Sequence, residues 1–320
     1  MILGADVTHP GTHSQPSCPS LAAVVATDTN GSSNYLASAR VQEGREEKII
    51  QELKYMVRER VLAWVNKAAR NGVPYGDILP KMLLFYRDGV SESQYEDVQK
   101  HEVPQVKAGY TSALEYLRVN NNALYTRLMG NQPPAAQTFG LVVVVAAKRH
   151  STRFFPQATS LPGTNVNLTA GNAFRQVFMP PSFENFYIQS HGSPLGTARS
   201  SYYVVIQNSN SSSTGRALDP RQLAKITNKL CYTSSRCLKG ISIATPARYA
   251  DLVCDRLRLY MRPAMVRNFR HPFQLPTAAV ANETTPTEYA NDTRLWRNSQ
   301  VTGPNDNPWL SSLNNIMFYI

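Results

Sequence analysis

Asp88 closes the apolar run "KMLLFYRD" (81–88), and Asp6 sits inside "ILGADV" (2–7). An acid in a segment bound for burial is costly unless a cation or a partner meets it. Asp251 lies in "TPARYADLVCDRLRLYM" (245–261), one helical turn before Asp255, and Glu46 and Glu47 follow Gly44 at the start of another helical stretch. Carboxylates gathered from positions this distant repel one another without cations. Their hard oxygen donors suit Mg²⁺ or Mn²⁺. Two such ions about 3.5–4 Å apart clamp an in-line displacement at phosphorus, one activating water and one steadying the leaving oxygen. Each acid also has a plainer reading. Asp88 can cap a helix beginning near Ser91, Asp251 can pair with Arg248 or Arg258 on its own helical face, and Glu46 and Glu47 are favourable first-turn charges.

The elements that would position these acids read off the pattern. "ILGADVTH" (2–9), "SLAAVVATD" (20–28) and "NYLASARVQ" (34–42) are strand candidates joined by Pro-, Gly-, Ser- and Asn-bearing loops. Ile49, Ile50, Leu53, Met56, Val57, Val61, Leu62 and Val65 recur at helical spacing, with a stop at "RNGVP". A buried strand (81–88) follows, then a more polar helix over roughly 91–118 that Pro104 should kink or break. "TFGLVVVVAA" (138–147) has the continuous β-branched character of a central strand. "NFYIQSH" (185–191) and "YYVVIQN" (202–208) are strands, and "QNSNSSSTG" (207–215) is a polar loop. Helices are expected over 219–232, with Asp219 as N-cap and Pro220 in the first turn, and over 245–261, with Thr245 as cap. Asp6 and Asp88 become neighbours if the first and fourth strands pair, and Asp251 then needs its helix against that edge. His9 and His191 read as loop-fixing residues, and no nucleophile constellation accompanies them.

The chain has 320 residues, 42% of them apolar, enough for a substantial core in one large domain or two smaller ones. Its abrupt start on a strand-like run suggests a fragment. The longest apolar run, "LVVVVAA" (141–147), is far too short to cross a bilayer, and no signal peptide is visible. Cys18, Cys231, Cys237 and Cys254 form no CxxC pair, which argues against zinc and for a reducing, intracellular setting. The net charge of +11 is uneven: residues 1–150 carry 16 Lys+Arg against 14 Asp+Glu, and residues 151–320 carry 17 against 8. A basic half beside a near-neutral one fits a polyanionic partner.

Six strings, "LGADVTHP" (3–10), "VQEGREEKIIQEL" (41–53), "FYRDGVSESQ" (85–94), "AAKRHSTRFF" (146–155), "SHGSPLGTARSSYYVV" (190–205) and "ARYADLVCDRLRLY" (247–260), follow the order and approximate spacing of the PIWI domain of eukaryotic Argonaute proteins. The ending "NNIMFYI" (314–320) also resembles that family's apolar C-terminus, so the likeness spans essentially the whole chain. The Ser/Asn-rich inserts and the late Asp resemble the fungal quelling, or RNA-silencing, type. The resemblance implies an α/β, RNase H-like fold with a mixed central β-sheet flanked by helices. It implies one PIWI domain over 1–320: a core of about 1–262, a loose polar insertion of about 263–308 and a tail over 309–320. The family's upstream lobes, which anchor the two ends of the guide, are absent from it.

The implied activity is guide-directed endonucleolytic cleavage of RNA with Mg²⁺ (or Mn²⁺), leaving a 3′-hydroxyl and a 5′-phosphate. The implied partners are a small guide RNA, a complementary target RNA and silencing-complex proteins, in the cytoplasm and away from membranes. The catalytic tetrad carries over to Asp6, Glu47, Asp88 and Asp251. "REEKII" is one residue longer than in relatives, so Glu46 remains the alternative to Glu47. Asp6 would be shared by both metals, Asp88 and Asp251 would each hold one, and Glu47 would help orient the attack. Lys148, Arg149, His150 and Arg153 match positions that grip the guide backbone. Arg199 and Arg236 match further phosphate contacts, and Arg256 matches a contact near the guide's 5′ end. Arg248 stands where relatives often have Tyr, which alters the contacts there. The rival reading is a guide-binding module that silences without cutting. A transposase or integrase would share the acids but has no reason to carry "KRHSTR".

Overall fold

The computed structural model describes residues 1–11, 19–42, 49–156, 167–174, 183–194, 196–209, 218–265, 307, 309 and 311–320. Three strands open the chain as an antiparallel meander: β1 (Ile2–Thr8), β2 (Ser20–Thr27) and β3 (Tyr35–Gln42). Helix α1 (Leu53–Arg70) and a short α2 (Tyr75–Ile78) lead to β4 (Met82–Asp88), which returns parallel to β1. A 3₁₀ turn, the short α3 (Tyr95–Asp97) and a π turn (Val98–Glu102) run into α4 (Val103–Asn120), followed by α5 (Asn122–Met129). Strand β5 (Gly140–Ala147) lies parallel to β4, and β6 (Asn172–Phe174), β7 (Glu184–Gln189) and β8 (Ser201–Ser209) complete the sheet. Helices α6 (Pro220–Leu230) and α7 (Thr245–Met265) follow. The eight described strands run in the order β3-β2-β1-β4-β5-β8-β7-β6, a mixed sheet of RNase H-like type flanked by helices.

Strand alternation divides the core. Leu3, Ala5, Val7, Leu83, Phe85, Leu141, Val143 and Val145 face α1 and α4. The opposite phase of β4 and β5, including Leu84, Tyr86, Val142 and Val144, packs with α6 residues and the start of α7. Residues Leu21, Ala23 and Val25 of β2 meet Tyr249, Val253 and Leu257 of α7. Asp6 and Asp88 share the phase of Gly4 and Tyr86 and therefore open toward α7.

Several boundaries differ from the sequence expectations for local reasons. Ile49 and Ile50 fit the apolar period of the first helix but precede it, and Ile50 is buried as a docking residue. Pro104 falls in the first turn of α4, directly after the π turn, so the expected interruption of the helix takes the form of that π turn. Asp219 caps α6 by accepting from the Arg221 N–H at 3.0 Å. Thr245 instead donates its hydroxyl to the Leu230 carbonyl at 2.6 Å and ties α7 to α6. Gln207 and Asn208, where the expected strand and polar loop overlap, belong to β8, and Ser209, expected in the loop alone, extends it. Of the expected loose stretch 263–308, residues 263–265 continue α7 and Asn307 accepts from the Ala39 N–H at 2.9 Å; the remainder lies outside the described residues. None of the helices searched among the described residues is long and apolar enough to cross a membrane. Cys231, Cys237 and Cys254 are free thiols.

Candidate active site at the carboxyl ends of two parallel strands

The register Ala5↔Arg87 between β1 and β4, carried one residue on, sets Asp6 beside Asp88. Both lie at the carboxyl ends of parallel strands, where open α/β sheets characteristically form their sites. Helix α7 is brought down on β1 by Gly4, where a Cβ would collide with the Pro246 carbonyl. The buried Cys254 thiol reinforces the contact by pointing at the Asp6 and Leu21 carbonyls. Arg258 donates to the Thr8 carbonyl at 3.0 Å. Asp251 thereby faces the strand ends.

The three aspartates feel one another. Burial, followed by the charge of Asp6 and then that of Asp251, pushes the Asp88 carboxyl up to about 7. Burial likewise raises Asp6, against the lowering field of Arg87, and the Asp255 charge adds to the rise. Asp251 is raised by burial and by Asp6 and Asp255, while Arg248 opposes the shift. Gly89, in the left-handed region at φ 77°, closes the floor of the site, and a Cβ there would lie 2.8 Å from Asp6 Oδ1.

The plainer readings of these acids are answered in part. Asp88 is not the cap of the following turn. Ser91 and Gln94 form a capping box there, and Asp88 Oδ1 accepts from the Gly89 N–H at 2.7 Å. Asp251 does pair with Arg248, through Nη1 and Oδ2. The carboxylate oxygens are the donor chemistry of a hard divalent ion. Among the described residues, however, no three His, Cys, Asp or Glu side chains are drawn together closely enough to hold one ion as they stand. Glu46 and Glu47 lie outside the described residues.

Beneath the acids runs a network that sequence reading did not find. Arg87 is fully buried and donates Nε to both oxygens of the equally buried Glu102, at 3.1 and 3.0 Å. Its Nη1 donates to the Asp88 carbonyl. Glu102 Oε1 also accepts from the Ile50 N–H at 3.1 Å, just past the segment that holds Glu46 and Glu47. The signal was present: Glu102 stands four residues after Val98 and four before Val106, on the buried stripe of its helix.

A cationic group borders the acids. Lys148, at the end of β5, donates to Ser242 Oγ at 2.6 Å. Burial lowers its ammonium, as do the charges of Arg248 and Arg199, while Asp88 pulls it back up. Arg149, Arg199 and Arg236 are exposed, and Arg256 is half-buried. His150 packs edge-on to Tyr187 and Tyr202, and its Nε2 lies 2.7 Å from the Ser200 carbonyl. Arg153 Nη1 donates to the His150 and Thr152 carbonyls at 2.9 and 2.8 Å, so part of its guanidinium is engaged in shaping its own loop. His9 Nδ1 meets Ser20 Oγ at 2.9 Å, in keeping with a loop-fixing role. Burial and the Lys148 charge lower the His191 imidazole.

Residues 1–262 match the Piwi domain family. The chain is 33% identical over 266 residues to Protein argonaute 18 of Oryza sativa subsp. japonica, covering 82% of this chain and 21% of that protein. It is 35% identical over 275 residues to Protein argonaute 5 of Arabidopsis thaliana, covering 83% of this chain and 25% of that protein. It thus spans a quarter or less of the length of these relatives. The crystal structure of Kluyveromyces polysporus Argonaute with a guide RNA superposes with a TM-score of 0.66 at 22% identity, over 100% of this chain and 32% of that one.

Proposed function

The chain belongs to the Piwi family, and from that premise we propose that it is the cleaving core of a guide-directed endoribonuclease, of the fungal quelling type, that acts in RNA silencing in the cytoplasm. The observation that carries this reading is the convergence of Asp6 and Asp88, at adjoining strand ends, with Asp251 of the helix packed on β1, close enough for their charges to repel. When bound, Mg²⁺ or Mn²⁺ would supply neutralisation of that repulsion and Lewis-acid stabilisation of the charge developing at a scissile phosphodiester. Asp6, whose charge acts on both of the others, is the residue suited to sharing, with Asp88 and Asp251 each holding one ion. Glu47, or Glu46, completes the set from its loop and orients the attack. Lys148, which feels the charges of both Asp88 and Arg199, holds the RNA backbone at the site together with Arg199, and Arg149, His150, Arg153, Arg236 and Arg256 extend the grip along the guide. Arginine suits this task because its planar fork takes phosphate bidentately.

Sequence readout is left to base pairing between guide and target, so the side chains need only recognise backbone. The products are a 3′-hydroxyl and a 5′-phosphate, and silencing-complex proteins are the further partners. A second reading, guide binding without cleavage, draws on the Arg248–Asp251 pair, which engages one of the three acids. Asp88→Ala separates the two. With a guide-matched RNA and Mg²⁺, the slicer reading expects cleavage by the parent chain, none by the variant, and guide affinity retained by both. An inactive parent that still binds guide would favour the second.

A further inference from the structure

We propose that Arg248 is a built-in competitor at the divalent-ion site: its guanidinium holds Asp251 in the ion-free protein and must let go before the aspartates can hold an ion. The inference rests on the divalent-ion reading above. Arg248 and Asp251 stand one turn apart on α7, and Nη1 donates to Oδ2. This pairing of neighbouring turns engages a carboxylate oxygen that an ion would need, and no three described acidic, His or Cys side chains stand ready for one ion.

The pair is built to be broken. The Arg248 side chain is 46% exposed and that of Asp251 30%, so the guanidinium can swing into water while the carboxylate keeps part of its contact with solvent. Exposed pairs of this kind contribute only about 0.2–1 kcal/mol. Arg248 also lies within the field of Lys148, a like charge that favours its departure. It acts as well on Asp6, so in the ion-free state it screens two of the three acids.

The test compares this chain with Arg248→Gln and Arg248→Lys by Mn²⁺ titration, followed by electron paramagnetic resonance, and by thermal denaturation in EDTA. Removing the competitor should tighten Mn²⁺ binding by about 1.4- to fivefold, the factor that corresponds to an exposed pair. It should also lower the melting temperature in EDTA. Arg248→Lys should move both readings back toward the parent. On an Asp251→Asn background, which itself binds Mn²⁺ less well, Arg248→Gln should bring no gain in affinity, because the pair then has nothing left to release. A variant that merely lost structure would bind Mn²⁺ less well, not better. Equal or weaker Mn²⁺ binding by Arg248→Gln, with the parent binding normally, overturns the proposal and leaves the divalent-ion reading intact. No Mn²⁺ binding by either protein overturns both.

Discussion

Gly4 of β1 and Pro246 of α7 approach so closely that a Cβ on Gly4 would lie 1.9 Å from the Pro246 carbonyl oxygen and 2.8 Å from the Ala247 nitrogen. Both obstacles are backbone and cannot rotate away, so only glycine lets the first turn of α7 settle on β1. Gly4→Ala should lift that turn, at about 1–3 kcal/mol or more for overpacking. Asp251, further along the same rigid helix, should withdraw from Asp6. Urea denaturation is expected to show a lower midpoint, and divalent-ion binding should weaken together with it. An unchanged midpoint would mean that α7 is not seated by this contact.

Much of this arrangement was legible beforehand, and the unread part has a common cause. The apolar runs that became β1, β4 and β5 each carry the strand signal within a few residues, and the acids at their ends stood out because burial is hostile to charge. Pairing of β1 with β4 is a tertiary fact that only a conditional statement could reach. Glu102 escaped notice because its partners, Arg87 and Ile50, come from elements 15 and 52 residues away. Short elements were also missed. Helix α5 is separated from α4 by a single residue, Asn121, and β6 has three residues whose partner strand gives it its identity. Arg248 was visible as an alternative partner of Asp251, since i,i+3 neighbours on a helix meet whatever the tertiary fold.

Asp88 makes the ion-free protein sensitive to pH in a definite direction. Its carboxyl titrates near 7 when folded, against the ordinary 3.8. Protonation therefore favours the fold: this stabilisation is complete below the unfolded value and is lost as pH rises through about 7. Asp88→Asn mimics the protonated form at every pH. In EDTA, the stability of the variant relative to the parent should increase from pH 5 to pH 8, read as the difference between urea midpoints. Saturating Mg²⁺ should shrink that difference, since the parent's repulsion is then neutralised. A difference that does not vary with pH would count against an acid cluster at this place.

The Arg87–Glu102 pair should behave as a buried ion pair whose halves depend on each other. Both side chains are fully buried. Glu102→Gln takes the counter-charge from Arg87 and is expected to cost about 3–5 kcal/mol. The double variant Arg87→Met/Glu102→Leu removes both charges and should recover a large part of that loss, as apolar replacements of buried pairs often do. Denaturant midpoints of the three proteins form the check. A double variant no more stable than Glu102→Gln would mean that the two residues do not act as a pair.

The basic residues around the site divide by what already engages them, and RNA binding should reveal the division. Arg236 is exposed, whereas Arg153 spends part of its guanidinium on the carbonyls of its own loop. Phosphate contacts position a strand without reading its sequence. Arg236→Ala should therefore weaken binding of single-stranded guides of any sequence to a similar degree, and flatten the plot of log affinity against log salt by about 0.7. Arg153→Ala should lower thermal stability as well, because the loop from His150 to Thr152 loses its internal donors. If Arg236→Ala leaves both affinity and salt slope unchanged, Arg236 is a solvated surface charge, and the guide's path must be sought through Lys148 and Arg199 instead.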